Sequence, residues 1–173
     1  MSYQLEQWCN LYCDEIIFDS DKDDWSKRTS TLNEKIMGRN HLVFLIEDED
    51  GEQFGFYHND EIVDDLQIKY SDRFSFYFNL KSNGRLPTPM KFKQKTSAMI
   101  EYKLSSKRVH QLIQLGDILL FKEDFKEKSL CRRNGDKCYG DYNGIDNALC
   151  GKSRSKKSGM NFIPKRILVI QMV

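Results

Sequence analysis

The stretch Leu42–His58, LVFLIEDEDGEQFGFYH, decides the fold. Its first five residues are continuously apolar, as in a strand buried on both faces. Asp48-Glu49-Asp50-Gly51 then supplies turn chemistry, because Asp-Gly accommodates positive φ. Gln53–His58 reads as the return strand. Within it, Gly55 between two phenylalanines marks a place where a side chain would obstruct a neighbouring element. The segment is a β-hairpin.

Working outward, residues 3–17 carry Leu5, Trp8, Cys9, Tyr12 and Ile16 at helical spacing, which predicts an amphipathic N-terminal helix. Asp19–Asp24 reads as a solvated acidic turn. Thr31 with Glu34 matches a capping box for a short helix over Leu32, Ile36 and Met37, and Gly38 suits its stop. Downstream, Phe74, Phe76, Phe78 and Leu80 alternate with polar or hydroxylated residues, which predicts a half-buried strand. Ser82-Asn83-Gly84 is a turn signal, and Pro87 and Pro89 keep the next residues out of a central strand. Further strands are expected at 90–95, 99–103, 109–115, 117–122 and 165–172. Residues 131–158, rich in Gly, Lys and Asn, read as a long loop region with one helical turn near Asn147–Leu149. About seven to nine strands with few intervening helices give an α+β, mostly β class. The expected architecture is a two-sheet antiparallel β-sandwich flanked by a few short helices.

At 173 residues the chain has the length of one domain with a sizeable core, so residues 1–173 are expected to form a single unit. Charged residues make up 31% of the chain, which excludes an oily surface and favours a folded, well-solvated domain. No apolar run reaches bilayer length, and the N-terminus has neither a basic head nor an apolar core. A cytoplasmic or nuclear protein is the expectation. The net charge of +1 conceals an asymmetry: residues 1–65 carry 5 basic and 17 acidic side chains, and residues 66–173 carry 22 and 9. The two parts either neutralise one another on folding or present a bipolar surface to a phosphate-bearing or acidic partner.

The chemistry-bearing residues form no catalytic pattern. There is no G-x-S-x-G, H-E-x-x-H, phosphate-binding Walker loop or G-x-G-x-x-G. His41, His58 and His110 read as structural or surface residues. Asp19, Asp21 and Asp23 imitate a calcium loop but fail where Gly and Glu are required, at Asp24 and Ser30. The five cysteines contain no C-x-x-C, so neither a metal nor any other cofactor is indicated. Two candidate features remain. Cys131 and Cys138 are candidate redox thiols, with Arg132, Arg133 and Lys137 available to stabilise thiolates. These three cations, with Lys152, Arg154, Lys156 and Lys157, are the candidate anion-binding residues, against the plainer reading of a surface loop.

Several segments in order also resemble the TLDc domain, the module of the oxidation-resistance proteins. The hairpin with Phe54-Gly55-Phe56 resembles the family's centre. Ile17-Phe18-Asp19-Ser20 with Asp24-Trp25 resembles its opening strand and acidic turn. Phe76, Phe78 and Leu80 resemble its aromatic F-x-F-x-L strand. Leu115-Gly116-Asp117-Ile118 with Leu120-Phe121 resembles its glycine hairpin. Ser129-Leu130-Cys131 and Asn147-Ala148-Leu149-Cys150 resemble its small-residue/Cys stretch and N-x-x-L element. Phe162-Ile163 and Ile167–Gln171 resemble its closing strand. Asp117 stands where the family has a second glycine, Gln171 where it has an acid, and the final aromatic is absent. The resemblance covers roughly Cys13–Val173. It implies a β-sandwich with short helices, a non-enzymatic role in oxidative-stress defence, no cofactor, and binding to the vacuolar proton pump (V-ATPase) as a protein partner. The alternatives are a nucleic-acid-binding or transcription-linked stress regulator using the basic C-terminal half, and a thiol-based redox sensor.

Overall fold

The computed structural model describes the chain except residues 1, 27–29, 64–67, 83, 93–98, 103–109, 124–128, 132–147, 151–152 and 156–158. At 2, 68–70, 99–102, 153–155 and 159 only the backbone is described. Two helices, α1 (Ser2–Cys9) and α2 (Leu32–Ile36), accompany thirteen strands among the described residues. The strands are β1 (Cys13–Asp19), β2 (Leu42–Asp48), β3 (Gln53–His58), β4 (Ile68–Tyr70), β5 (Phe76–Lys81), β6 (Met90–Phe92) and β7 (Met99–Tyr102), followed by β8 (Gln111–Leu115), β9 (Ile118–Phe121), β10 (Leu130–Cys131), β11 (Ser153–Ser155), β12 (Gly159–Asn161) and β13 (Pro164–Met172). That exceeds the expected count, because short strands β4, β10, β11 and β12 extend the second sheet.

The first sheet has the order β1-β13-β2-β3-β5-β6 and the second β11-β12-β10-β9-β8-β7-β4, with every pairing antiparallel. The class is α+β, mostly β, built as two antiparallel sheets. The C-terminal β13 lies between β1 and β2, so the last strand of the chain is internal to the first sheet, one strand in from the β1 edge.

Two apolar layers follow from the period-two geometry of β2 and β3. Phe44, Ile46, Phe54 and Phe56 face Ile113, Leu115, Ile118 and Leu120 between the sheets. Val43, Leu45 and Tyr57 face the other way, with Phe76, Phe78, Leu168 and Ile170, and are covered by Leu5 and Trp8 of α1. Each such side chain, fully buried, contributes roughly 1.5–3 kcal/mol. The apolar run Leu42–Ile46 is therefore buried on both faces, as its sequence requires.

The hairpin pairs Leu42 with His58 through Glu47 with Gln53, and Gly51 turns at φ +78°. Gly55 pairs with Leu45 on one side and Phe78 on the other. A Cβ there would lie 1.9 Å from the Phe44 carbonyl oxygen and 2.8 Å from Phe78 Cζ. The glycine makes room for the Phe78 ring in the outer apolar layer.

Five local expectations are corrected. The N-terminal helix ends at Cys9, not at residue 17. Asn10 takes φ +56° and the Leu11 N–H bonds the Glu6 carbonyl at 3.3 Å, a left-handed C-terminal cap that releases Cys13–Asp19 to pair with β13. Thr31 makes no side-chain cap; Ser30 Oγ instead accepts from the Leu32 N–H at 3.4 Å. Phe74 lies outside β5 and is exposed, and Tyr77 and Asn79 are buried like Phe76 and Phe78, since β5 is covered on both faces. Asp19 is buried, with Arg166 Nη2 2.7 Å from its carboxylate, so the acidic turn is an ion-pair junction and not simply solvated. The expected loop at 131–158 contains the strand β11, and residues 148–150 form a bend where a helical turn was expected.

Candidate functional site

Polar side chains fasten the two sheets to each other. Tyr77 of the first sheet accepts, at its hydroxyl, the Asp117 N–H of the β8–β9 turn at 3.0 Å. The turn passes through Gly116 at φ +58°, and the residue after it contributes its backbone donor to this bridge. Asn79 Nδ2 donates to the Leu149 carbonyl at 2.8 Å, holding the 148–150 bend against β5. Gln171, where the resembling family carries an acid, donates from Nε2 to the Asn40 carbonyl at 2.8 Å and to the Met172 carbonyl. A carboxylate has no donor for that role.

Behind the hairpin turn lies a buried ionic and thiol cluster. Glu52, with no exposed surface, pairs with the Arg85 guanidinium. Asp48 Oδ1 accepts the N–H groups of Asp50 and Glu52 at 3.0 and 2.9 Å, while burial raises its carboxyl above its ordinary value. Cys150 is within electrostatic reach of Cys131, Arg85 and Glu52. Burial is the main cause that pushes the Cys150 thiol well above its ordinary value, followed by Cys131. Both thiols are free and core-buried, Cys131 1% exposed and Cys150 not at all.

The candidate redox thiol Cys131 thus ends β10 and lies in the same buried core as Cys150. Cys138, Arg132, Arg133, Lys137, Lys152, Lys156 and Lys157 lie outside the described residues. Of the candidate anion-binding residues, Arg154 alone is placed, by its backbone in β11 at an edge of the second sheet. His58 is buried and stacks on Phe56 at 6.4 Å, in keeping with a structural role. Among the described residues no three His, Cys, Asp or Glu side chains gather in a way that holds a metal ion. No helix of the described residues is long and apolar enough to cross a membrane.

The β1 edge of the first sheet carries exposed apolar groups. β1 is the end strand of the first sheet. Tyr12 and Val173 prolong the β1–β13 ladder through reciprocal backbone bonds of 2.7 and 2.9 Å. Tyr12 is 75% exposed, Ile16 55% and Val173 58%, with the exposed acids Asp14 and Glu15 between them. Bulges between Cys13 and Glu15 and between Ile16 and Phe18 bend the strand, a device that discourages uncontrolled edge pairing. Sequence reasoning missed this edge by extending the first helix through it.

Comparison with known families matches residues 2–117 to the TLDc domain. No curated protein sequence matches the chain. The matched span runs from α1 to the Tyr77–Asp117 bridge, and β13 beyond it completes the same sheet by pairing with β1 and β2. The chain belongs to the TLDc domain family.

Proposed function

We propose that this chain acts as a non-catalytic TLDc-type protein-interaction module in the oxidative-stress response, working through contact with the vacuolar proton pump. The observation that carries the reading is the TLDc match over residues 2–117, which includes the hairpin and its aromatic strands. The exposed edge supports it. Tyr12, Ile16 and Val173 offer apolar contact, and Asp14 adds negative charge that favours a basic partner surface, Glu15 being paired with Arg39 at 2.8 Å. Contacts of this kind derive affinity from a few buried aromatic and aliphatic anchors within a polar rim.

The test is binding of the purified chain to purified V-ATPase, measured by interferometry in reducing and in mildly oxidising buffer. Saturable binding, weakened at least about tenfold by the paired changes Tyr12→Ser and Ile16→Asp, supports the reading. Absence of binding in both buffers by a folded chain overturns the pump assignment. Salt-sensitive nucleic-acid binding without pump binding shifts the function to the basic C-terminal half.

A further inference from the structure

The outer apolar face of the first sheet is occupied by a helix of this chain. α1 sets Leu5, fully buried, and Trp8, three residues on, into the cluster that holds Tyr57, Phe76, Phe78 and Ile170. Trp8 meets the Phe76 ring edge-on at 6.4 Å and the Phe78 ring at 6.3 Å. Lys91 of β6 closes over the last turn of the helix. Its Nζ donates to the Trp8 carbonyl at 3.0 Å and lies 3.9 Å from the centroid of the Phe76 ring. One cation thus supplies the donor and the positive charge that a helix C-terminus calls for. Apolar anchors three residues apart, an aromatic floor and a basic cap are the parts of the helix-in-groove mode of recognition. Two features make α1 a replaceable occupant. Eight residues are too few to hold a helix without tertiary support, and the β1–β13 ladder begins at Tyr12 and Val173, beyond α1. α1 can therefore lift at Asn10 without breaking a rung of the sheet, giving up the Lys91 bond and the Cys13 N–H bond to Glu6 Oε1 at 3.2 Å. The apolar layer also extends past α1. Its Leu45 and Leu168 floor a cavity of about 190 Å³ rimmed by Glu47, Gln53 and Arg166, which has room for a further apolar side chain.

We propose that this face is a docking groove for an amphipathic helix of a protein partner, one carrying large apolar side chains three or four residues apart, and that α1 is its autoinhibitory occupant. The incoming helix displaces α1, takes the Lys91 cap at its last turn and sets one more aliphatic side chain into the Leu45–Leu168 cavity. Because α1 is tethered, it competes at an effective concentration on the order of millimolar, and the extra cavity contact is what lets a partner win. The groove lies on the face of the sheet and the Tyr12–Ile16 surface at its edge, so this inference is independent of the pump contact.

The test uses the full chain carrying Leu5→Ser and Trp8→Ser, which weakens α1 and leaves the groove lining intact, with a fluorescent peptide of residues 1–11 as the probe helix in reducing buffer. Fluorescence polarisation should show saturable binding. Binding should be at least about tenfold weaker to the unmodified chain, whose own α1 competes, and about tenfold weaker when Lys91→Gln is added to the variant. A peptide with the same two serines should not bind. Absence of binding to a folded variant, or equal binding to the variant and the unmodified chain, overturns the groove. An unmodified chain that forms a dimer by exchanging α1 gives the groove to a second copy and overturns the partner reading. If the variant does not fold, hydrogen exchange of the unmodified chain decides. Amides of residues 6–9 exchanging at least about tenfold faster than those of β2 support a replaceable α1, and equal protection overturns it. Groove occupancy is read with the peptide and pump binding with purified V-ATPase, so failure of one is distinguishable from failure of the other.

Discussion

Replacing Gly55 with alanine should be among the most damaging small changes this fold admits. The added Cβ would meet the Phe44 carbonyl oxygen at 1.9 Å, against an ordinary contact that begins at 3.4 Å. The two strands must therefore part by about 1.5 Å, unless backbone angles absorb the displacement. Parting at the Leu45–Gly55 pair stretches adjacent ladder bonds, each contributing about 1 kcal/mol net. The Phe78 ring must also yield, since the Cβ lies 2.8 Å from its Cζ, and overpacking of this kind costs about 1–3 kcal/mol. The methyl group recovers less than about 1 kcal/mol from burial and from the reduced freedom of the unfolded chain. The expected net loss is about 3 kcal/mol, or a melting temperature lower by roughly 6–12 °C. Urea unfolding followed by circular dichroism and tryptophan fluorescence measures it, with an unchanged slope expected if the folded state stays compact. A Gly55→Ala protein as stable as the original would refute the claim that this glycine exists for close approach.

Other outcomes follow from the polar framework. Arg85→Ala removes the cation from buried Glu52 and should cost about 3–5 kcal/mol in urea unfolding, whereas the double change Glu52→Gln with Arg85→Met should recover part of that loss. Asn79→Ala should cost about 1–3 kcal/mol, because the Leu149 carbonyl loses its amide donor, and hydrogen exchange at residues 148–150 should quicken; unchanged exchange contradicts the bridge. Asp19 has its carboxyl held below the ordinary 3.8, first by its hydrogen bonds from Arg166, so its stabilisation is present above 3.8 and is lost as pH falls through the lowered value. The stability gap between the original protein and Asp19→Asn should accordingly be constant near neutrality and close in strong acid. A gap that persists in strong acid contradicts the linkage.

The hairpin was legible because every level of its sequence agrees: apolar continuity, Asp-Gly turn chemistry and a glycine flanked by aromatics. The sandwich class followed from strand patterns of the same kind. The N-terminal segment was less legible, because Tyr12 and Ile16 fall on helical spacing although Asn10 has already turned the chain. Periodicity records which positions are apolar, and Ile16 is an exposed apolar residue on an edge strand. Phe74 misled for the same reason. The shared burial of Cys131 and Cys150 had no signal in spacing, since it arises from β10 joining β9 and β12 while Asn79, seventy residues before Leu149, pins the bend at residues 148–150. Glu52 and Arg85 were equally silent: one acid and one base far apart in sequence meet only when β3 and β5 pair.

Hydrogen–deuterium exchange of the chain, free and bound to purified V-ATPase, tests the central claim most directly. The account predicts protection on binding concentrated at residues 11–19 and 171–173, where Tyr12, Ile16 and Val173 are exposed. Protection confined to residues 130–160, or no protection in a folded chain at saturating pump, would contradict it.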